Sequence, residues 1–317
     1  MVPARPLIVA CLFVSSLLLA ACKGEQAATP QPAAESAAAK AFAQTQQAWR
    51  TQRREDLLKP DGWTSLVGLH WITRGPHYVG RSGGSGIRLA MGPAELGLFD
   101  LRKDGTLHFV PARSATLTLD DAPLTKATLL RTDSDEKGPS RIGFDEGKGV
   151  ATIIKRGDRY ALRVKHADAP SRTGFKGLPY WPASQDWRVT ARYKAHPAGK
   201  TLQIANIVGT IEPVSNPGVL EFEHGGKPHR LEALDQGDGQ LFLIFADRTN
   251  GRGSYGAGRY LEAAVPDASG RVVLDFNRSY NPPCAFTAFA TCPLPPPENR
   301  LDLVVTAGEK AYVAPVI

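Results

Sequence analysis

The stretch "LGLFDLRKDGTLHFVP", residues Leu96–Pro111, decides the fold. On either side of Asp104-Gly105 apolar and polar side chains alternate, which in a strand sends one set to a core and the other to solvent. Asp-Gly supplies residues that tolerate the positive φ of a tight hairpin. The same pattern recurs in "GVATIIKRGDRYALRVK", Gly149–Lys165, around Gly157-Asp158. Short runs of Val, Ile, Leu, Phe and Tyr, broken by Gly, Pro, Asn or Asp at intervals of about ten residues, predict antiparallel strands along most of the chain. "GIRLAM", "ATLTLDDAPL" and "DWRVTARYK" complete a first set. "TLQIANIVGTIEPVSN", "GVLEFEHGGKPHRLEAL", "QLFLIFADRT", "RYLEAAV", "RVVLDFN" and "RLDLVVTAGEKAYV" form a second. The expected fold class is therefore mainly β. One long helix precedes the strands: "ESAAAKAFAQTQQAWRTQRREDLLKPDGW" puts Phe42, Trp49 and Leu57 or Leu58 at helical spacing, with Pro60 and Gly62 to stop it. This lead helix is assigned to residues 41–62.

The chain opens "MVPARPLIVACLFVSSLLLAACK". One cation, Arg5, precedes an apolar run too short for a lasting membrane span, the pattern of a secretory signal over residues 1–21. Leu19-Ala20-Ala21-Cys22 resembles the lipobox of bacterial lipoproteins. The resemblance implies cleavage before Cys22, a diacylglycerol on its sulfur, palmitate among the acyl chains, and attachment to a membrane at about 0.8 kcal/mol per buried methylene. Lys23 stands where an aspartate would favour the inner membrane, so the resemblance implies the outer membrane, with the body facing the periplasm. "GEQAATPQPAAESAAAK" has no periodic apolar face and reads as a flexible tether over residues 22–40.

The 38 Lys and Arg residues against 31 Asp and Glu give a net charge of +7, or +6 once Arg5 leaves with the signal. No basic run stands out. Such a surface is drawn weakly to anionic headgroups or cell-wall polymers. Nucleic acid is not an expected partner in that compartment, and nothing in the pattern fixes an oligomeric state.

The runs "LFLIFADRTNGRGSYGAGRYLEA", "RVVLDFNRSYNPPCAFTAFATCPLPPPENRL" and "AGEK" resemble the signature of the bacterial and archaeal family called domain of unknown function 1684. "LKPDGWTSLVGLHWI" and "RVKHADAPSRTGFKGLPYWP" fit it too, so that the likeness spans about Trp49 to Tyr312. The resemblance brings no established activity with it. The first strand set, over residues 63–168, resembles a forkhead-associated β-sandwich: "YVGRSGGSGIRLAMGPAELG" has its Gly80-Arg81 start and "LTLDDAP" its turn. Of the phosphothreonine-binding residues of that fold only Arg81 carries over. Ala94 stands near the expected serine, and Asp121 occupies a turn where asparagine and glycine are usual and would repel a phosphate. The remaining residues, 169–317, make up a C-terminal antiparallel β domain bearing the family signature.

Several motifs invite a chemical reading. Gly251-Arg-Gly253-Ser-Tyr-Gly256 satisfies a G-x-G-x-x-G string, yet Pro266 leaves no room for the helix a dinucleotide needs, so a glycine-rich loop is expected. Ser254 lacks the spacing of a nucleophile elbow. The seven histidines lack metal-ligand spacing, although His224 and His229 flank a hairpin tip. No metal or cofactor is therefore expected. The polar residues of the signature are the best candidates. Asp247 and Asp275 end two strands and Arg259 opens a third, so neighbouring strands would gather them at one rim, with Tyr255, Asn277 and Tyr280 nearby. Such a rim suits a glycan or carboxylate ligand, because an arginine fork pairs with planar anions. The alternatives are a hydrolase using the two carboxylates as acid and base and a set of Arg–Asp pairs that merely hold loops. Cys284 and Cys292 remain once Cys11 and Cys22 are accounted for. In an oxidising compartment they are candidates for a disulfide closing a small loop. A metal pair or a reactive thiol stays open, since relatives that look cytoplasmic share the cysteines.

Overall fold

The computed structural model describes residues 32–313; the signal segment, Cys22 and the first part of the tether lie outside the described residues. Among the described residues, those up to Ala41 fall in one unit and those from Phe42 in a second, compact one. The lead helix runs Pro32–Leu57, not 41–62. It starts inside the expected tether because the alanine-rich run has the highest helix propensity of any composition. It stops before Pro60, whose ring disfavours helical backbone in the preceding residue. Gln46, Arg50, Arg53 and Leu57 share one face, and Leu57 is buried against Phe175 and Phe286. Among the described residues no helix is long and apolar enough to cross a membrane.

The body is mainly β. A six-stranded sheet has the order Leu66–Ile72, Arg159–His166, Gly149–Arg156, Ile142–Phe144, Thr118–Leu119, Ala122–Pro123. A five-stranded sheet has the order Ile87–Arg88, Gly75–Gly80, Gly97–Leu101, Leu107–Pro111, Thr128–Leu130. Their inner faces share one core containing Val79, Phe99, Phe109, Ile142, Ile153, Leu162 and Val164. Phe99 and Phe109 sit directly opposite across the hairpin, ring centroids 4.6 Å apart. The hairpin turns at Gly105 (φ 85°) and Gly157 (φ 59°) are where the sequence places them.

A second six-stranded antiparallel sheet has the order Arg259–Ala264, Gln240–Phe245, Lys227–Asp235, Gly218–His224, Arg188–Ala195, Arg271–Asp275. Its strand Gln240–Phe245 is apolar on both faces because both are covered. Leu241, Leu243 and Phe245 join a core with Trp187, Leu261 and Phe276. Phe242 and Ile244 pack with Ile204 and Tyr260 beneath the hairpin Thr201–Ala205 and Ile211–Ser215. Beyond Arg271–Asp275 the chain becomes irregular, held by short 3-10 turns.

Truncating Phe99, which is fully buried, to alanine is expected to cost about 3–5 kcal/mol. The shift of the urea midpoint at constant slope measures it.

Candidate functional site

The irregular C-terminal segment sets the chemistry of the signature residues. Its backbone N–H and C=O groups have no strand to pair with, and buried backbone groups must find partners. Arg259 supplies them. Its side chain is wholly buried; Nη2 donates to Asp247 Oδ1 (3.1 Å) and the Val305 carbonyl (3.0 Å), and Nη1 donates to the carbonyls of Ala307 and Glu309. Asp247 Oδ2 accepts the Val305 N–H at 2.8 Å, and its carboxylate also takes the Thr249 hydroxyl. Burial pulls the Arg259 guanidinium down from the ordinary arginine range, opposed by Asp247 and Glu309. Gly308 (φ 78°) lets this segment pass against the carbonyls of Phe276 and Ser279, where a side chain would collide.

Other signature residues do similar work. The Asn299 amide bonds the Glu232 backbone on both sides and the Ile244 carbonyl. Asn277, also wholly buried, accepts from the Ser184 N–H and donates to the Ser184 carbonyl and to Asp275. Asn281 donates to the Lys310 carbonyl. Ser254 is buried against the Thr249 hydroxyl at 2.7 Å. The glycine-rich stretch around it is a loop joining Gln240–Phe245 to Arg259–Ala264.

The expected rim does not assemble as one group. Asp247 and Arg259 meet; the strand ending in Asp275, though last in the hydrogen-bonded order, packs against Arg259–Ala264, but its carboxylate is engaged elsewhere. It accepts from Gln46 of the lead helix (2.7 Å) and pairs with Arg278. Tyr255 is half-buried, with its hydroxyl raised above the usual tyrosine range by burial. His224 stacks on Trp187 and His229 leans on Phe222. Among the described residues no three His, Cys, Asp or Glu gather as a metal site would require.

Sequence reasoning passed over Glu309, the acid of "AGEK". It is fully buried, accepts from Arg53 Nε at 2.9 Å and from the Asn281 N–H at 2.7 Å, and burial raises its carboxyl against the pull of both. It also passed over Arg156 and Arg163. For Arg163 the sequence carries one signal, the alternation of Arg159, Arg163 and Lys165 along the strand face opposite the core residues Leu162 and Val164, which marks a basic face but not that anything packs on it.

Of the predicted residues, Tyr280 and Cys292 belong to a cleft between the first sandwich and the second sheet. Its volume is about 280 Å³. Arg156 and Arg163 come from the first sheet, Trp63 from the turn after the lead helix, and Arg53 from the helix itself. Phe242, Tyr260 and Glu262 come from the second sheet, and Pro283, Ala290, Thr291 and Pro293 from the cysteine segment. Cys284 and Cys292 form a disulfide, with Cα atoms 6.1 Å apart. The clasp seats Thr291, whose Oγ1 accepts from Arg156 Nε (3.0 Å) and Arg163 Nη2 (3.3 Å). On the other wall the Tyr280 hydroxyl donates to Glu262 at 2.6 Å, and burial raises both Tyr260 and Tyr280 far above the tyrosine range.

Residues 173–310 match the family described as protein of unknown function DUF1684, and the chain belongs to this family. The match takes in the C-terminal motifs and begins after the stretches around Trp49 and Gly62, so it is shorter than the span the motifs suggested. The chain is 32% identical to an uncharacterized protein of Haloarcula marismortui whose structure was solved by solution NMR. That similarity covers 44% of this chain and 78% of the other, with a TM-score of 0.37. No curated protein matches.

Two outcomes follow from the buried network. Arg259→Met strands Asp247 and three carbonyls and is expected to cost about 3–5 kcal/mol. Arg259→Lys does not restore it, because a single ammonium cannot reproduce the fork; full rescue by lysine in urea unfolding would contradict this. Replacing both Cys284 and Cys292 by alanine is expected to cost about 2–3 kcal/mol, read in the same assay.

Proposed function

We propose that the protein is a lipid-anchored binding protein of the bacterial envelope, held through Cys22 in the outer membrane with its body facing the periplasm, and that it takes a small envelope component in the cleft between its two β layers. The observation that carries the binding reading is the lining. Six separate stretches of chain contribute to one concavity, and its volume lies just below the roughly 300–1,000 Å³ usual for small-molecule sites. The lipobox-like Leu19–Cys22 supports the anchorage.

A hydrolase is the weaker reading. Asp247 is enclosed by its own hydrogen bonds and Asp275 is bound to the lead helix. Glu262 is the one carboxylate among the described residues of the cleft lining, which leaves no pair to divide acid and base roles. We read the first sandwich as forkhead-like in fold and as scaffold in role. Arg81, Ala94 and Asp121 are all exposed there, and Asp120 in the same turn is occupied by Arg131 and the Arg141 N–H.

Changing Cys22 to alanine is expected to move the protein from the membrane to the soluble fraction; sedimentation with membranes would refute the anchor. Gln236 is exposed at the cleft, so Gln236→Trp places an indole at its lining without touching a core. Thermal-shift screening against small polar envelope compounds should give ligands for the parent chain that this variant no longer binds. Ligands held equally by both would place binding elsewhere.

A further inference from the structure

The three arginines of the cleft are not equivalent. Arg53 is neutralised by Glu309, and Arg156 by Asp133 at 2.8 Å. Arg163 has no carboxylate within ion-pair distance among the described residues. Its one hydrogen-bond partner there is the Thr291 hydroxyl, and its Nε is sealed from solvent with no acceptor. A guanidinium carries five donors in a planar fork; here Nη2 reaches Thr291, the group lies 5.7 Å from the Trp63 ring centroid, and the Nε–H is buried with nothing to accept it. Burial and the neighbouring Arg156 push it down to about 10, against the pull of Asp133. A half-buried charge with no counter-ion and a sealed donor costs a folded protein free energy. Such frustration persists where a ligand supplies what is missing, because function and stability trade against each other at binding sites.

The rest of the lining narrows the ligand. Trp63, Phe242, Tyr260 and two prolines offer flat apolar surface, suited to the C–H face of a ring. Glu262, as a carboxylate, only accepts hydrogen bonds, so it calls for donors on the ligand. Arg53 and Arg156 carry their own carboxylates, so Arg163 is the lining guanidinium left to face an anion, and a ligand hydroxyl meets Glu262 without bringing a second cation beside it. The volume admits one ring, not a polymer.

Resting on the cleft as the binding site, we infer that its ligand is an acidic monosaccharide: a single hydroxylated ring bearing a carboxylate or a phosphate. The anion sits on the Arg163 fork beside Arg156, the ring lies against the aromatic wall, and ring hydroxyls donate to Glu262. Thr291 is a positioning residue, holding both guanidinium groups from the clasp.

The test is titration calorimetry of the full chain with D-glucuronate, D-glucose 6-phosphate and D-glucose, on the parent and on Arg163→Met, Arg163→Lys and Gln236→Trp. Binding of at least one acid, with D-glucose at least tenfold weaker, is expected, and the acid preferred separates carboxylate from phosphate. Arg163→Met should weaken that binding at least tenfold while unfolding at the same temperature as the parent or higher, since it removes a frustrated charge. Arg163→Lys, which keeps the charge and loses the fork, should also bind more weakly. A marked drop in unfolding temperature for Arg163→Met would make Arg163 a structural strut and overturn the inference, as would unchanged binding by Arg163→Lys. D-glucose bound as tightly as the acids, and blocked by Gln236→Trp, would overturn the acidic ligand while leaving the cleft as the site. Binding by none of the three also overturns it. The cleft reading itself falls only if the screened ligands are indifferent to Gln236→Trp.

Discussion

The C-terminal third depends on a constraint of backbone chemistry: a segment that leaves the sheet must have its amides and carbonyls met by something. Here buried side chains meet them. Arg259 reaches three carbonyls from one fork, Asp247 takes an amide, and Asn277, Asn281 and Asn299 each bridge backbone on a neighbouring segment. The Arg259 and Asp247 contacts are charge-assisted, and the Asn277 and Asn299 amides both donate and accept. The residues that give the family signature its polar character therefore act largely as substitutes for a missing strand. The lead helix is fixed by the same means, since Arg53 ends on Glu309 and on the Asn281 carbonyl.

The fold was legible where periodicity is. The hairpins at Gly105 and Gly157 could be placed from turn chemistry, and the unbroken apolar run Leu241–Phe245 marks a strand covered on both faces. The helix boundary was not, because alanine-rich sequence serves equally as tether and as helix until something downstream nucleates it. The candidate site was legible in part. Tyr280 and Cys292 do line the cleft, and the two cysteines pair. Asp247, Arg259 and Asn277 were expected at a ligand rim and instead bond mainly to backbone; sequence cannot say whether a polar side chain at a strand end turns inward to backbone or outward to a ligand. That direction depends on whether the neighbouring backbone is already paired. Asp275 stays out of that pair for a different reason: its strand does pack beside Arg259–Ala264, but its carboxylate is taken by Gln46 of the lead helix and by Arg278, partners that strand patterning does not show.

Arg163 shows the opposite failure. Alternation along Arg159–His166 reads as an ordinary solvated face of a two-layer sandwich, and in an isolated sandwich it would be one. Packing against the second sheet turns that face into a wall. The cleft exists because a basic sheet face and a tyrosine-bearing sheet face meet without filling the space between them, and the disulfide loop closes one side.

The strand Gln240–Phe245 has packed side chains on both faces and hydrogen-bonded neighbours on both edges. Amides in such a strand exchange with solvent only when the whole body opens. Phe242 of that strand, and Tyr260 of the next, form part of the cleft wall. A molecule entering the cleft thus meets a surface with little conformational freedom left to lose. Its association carries little ordering entropy on the protein side, and discrimination between similar molecules falls to shape and donor geometry instead of to a closing motion.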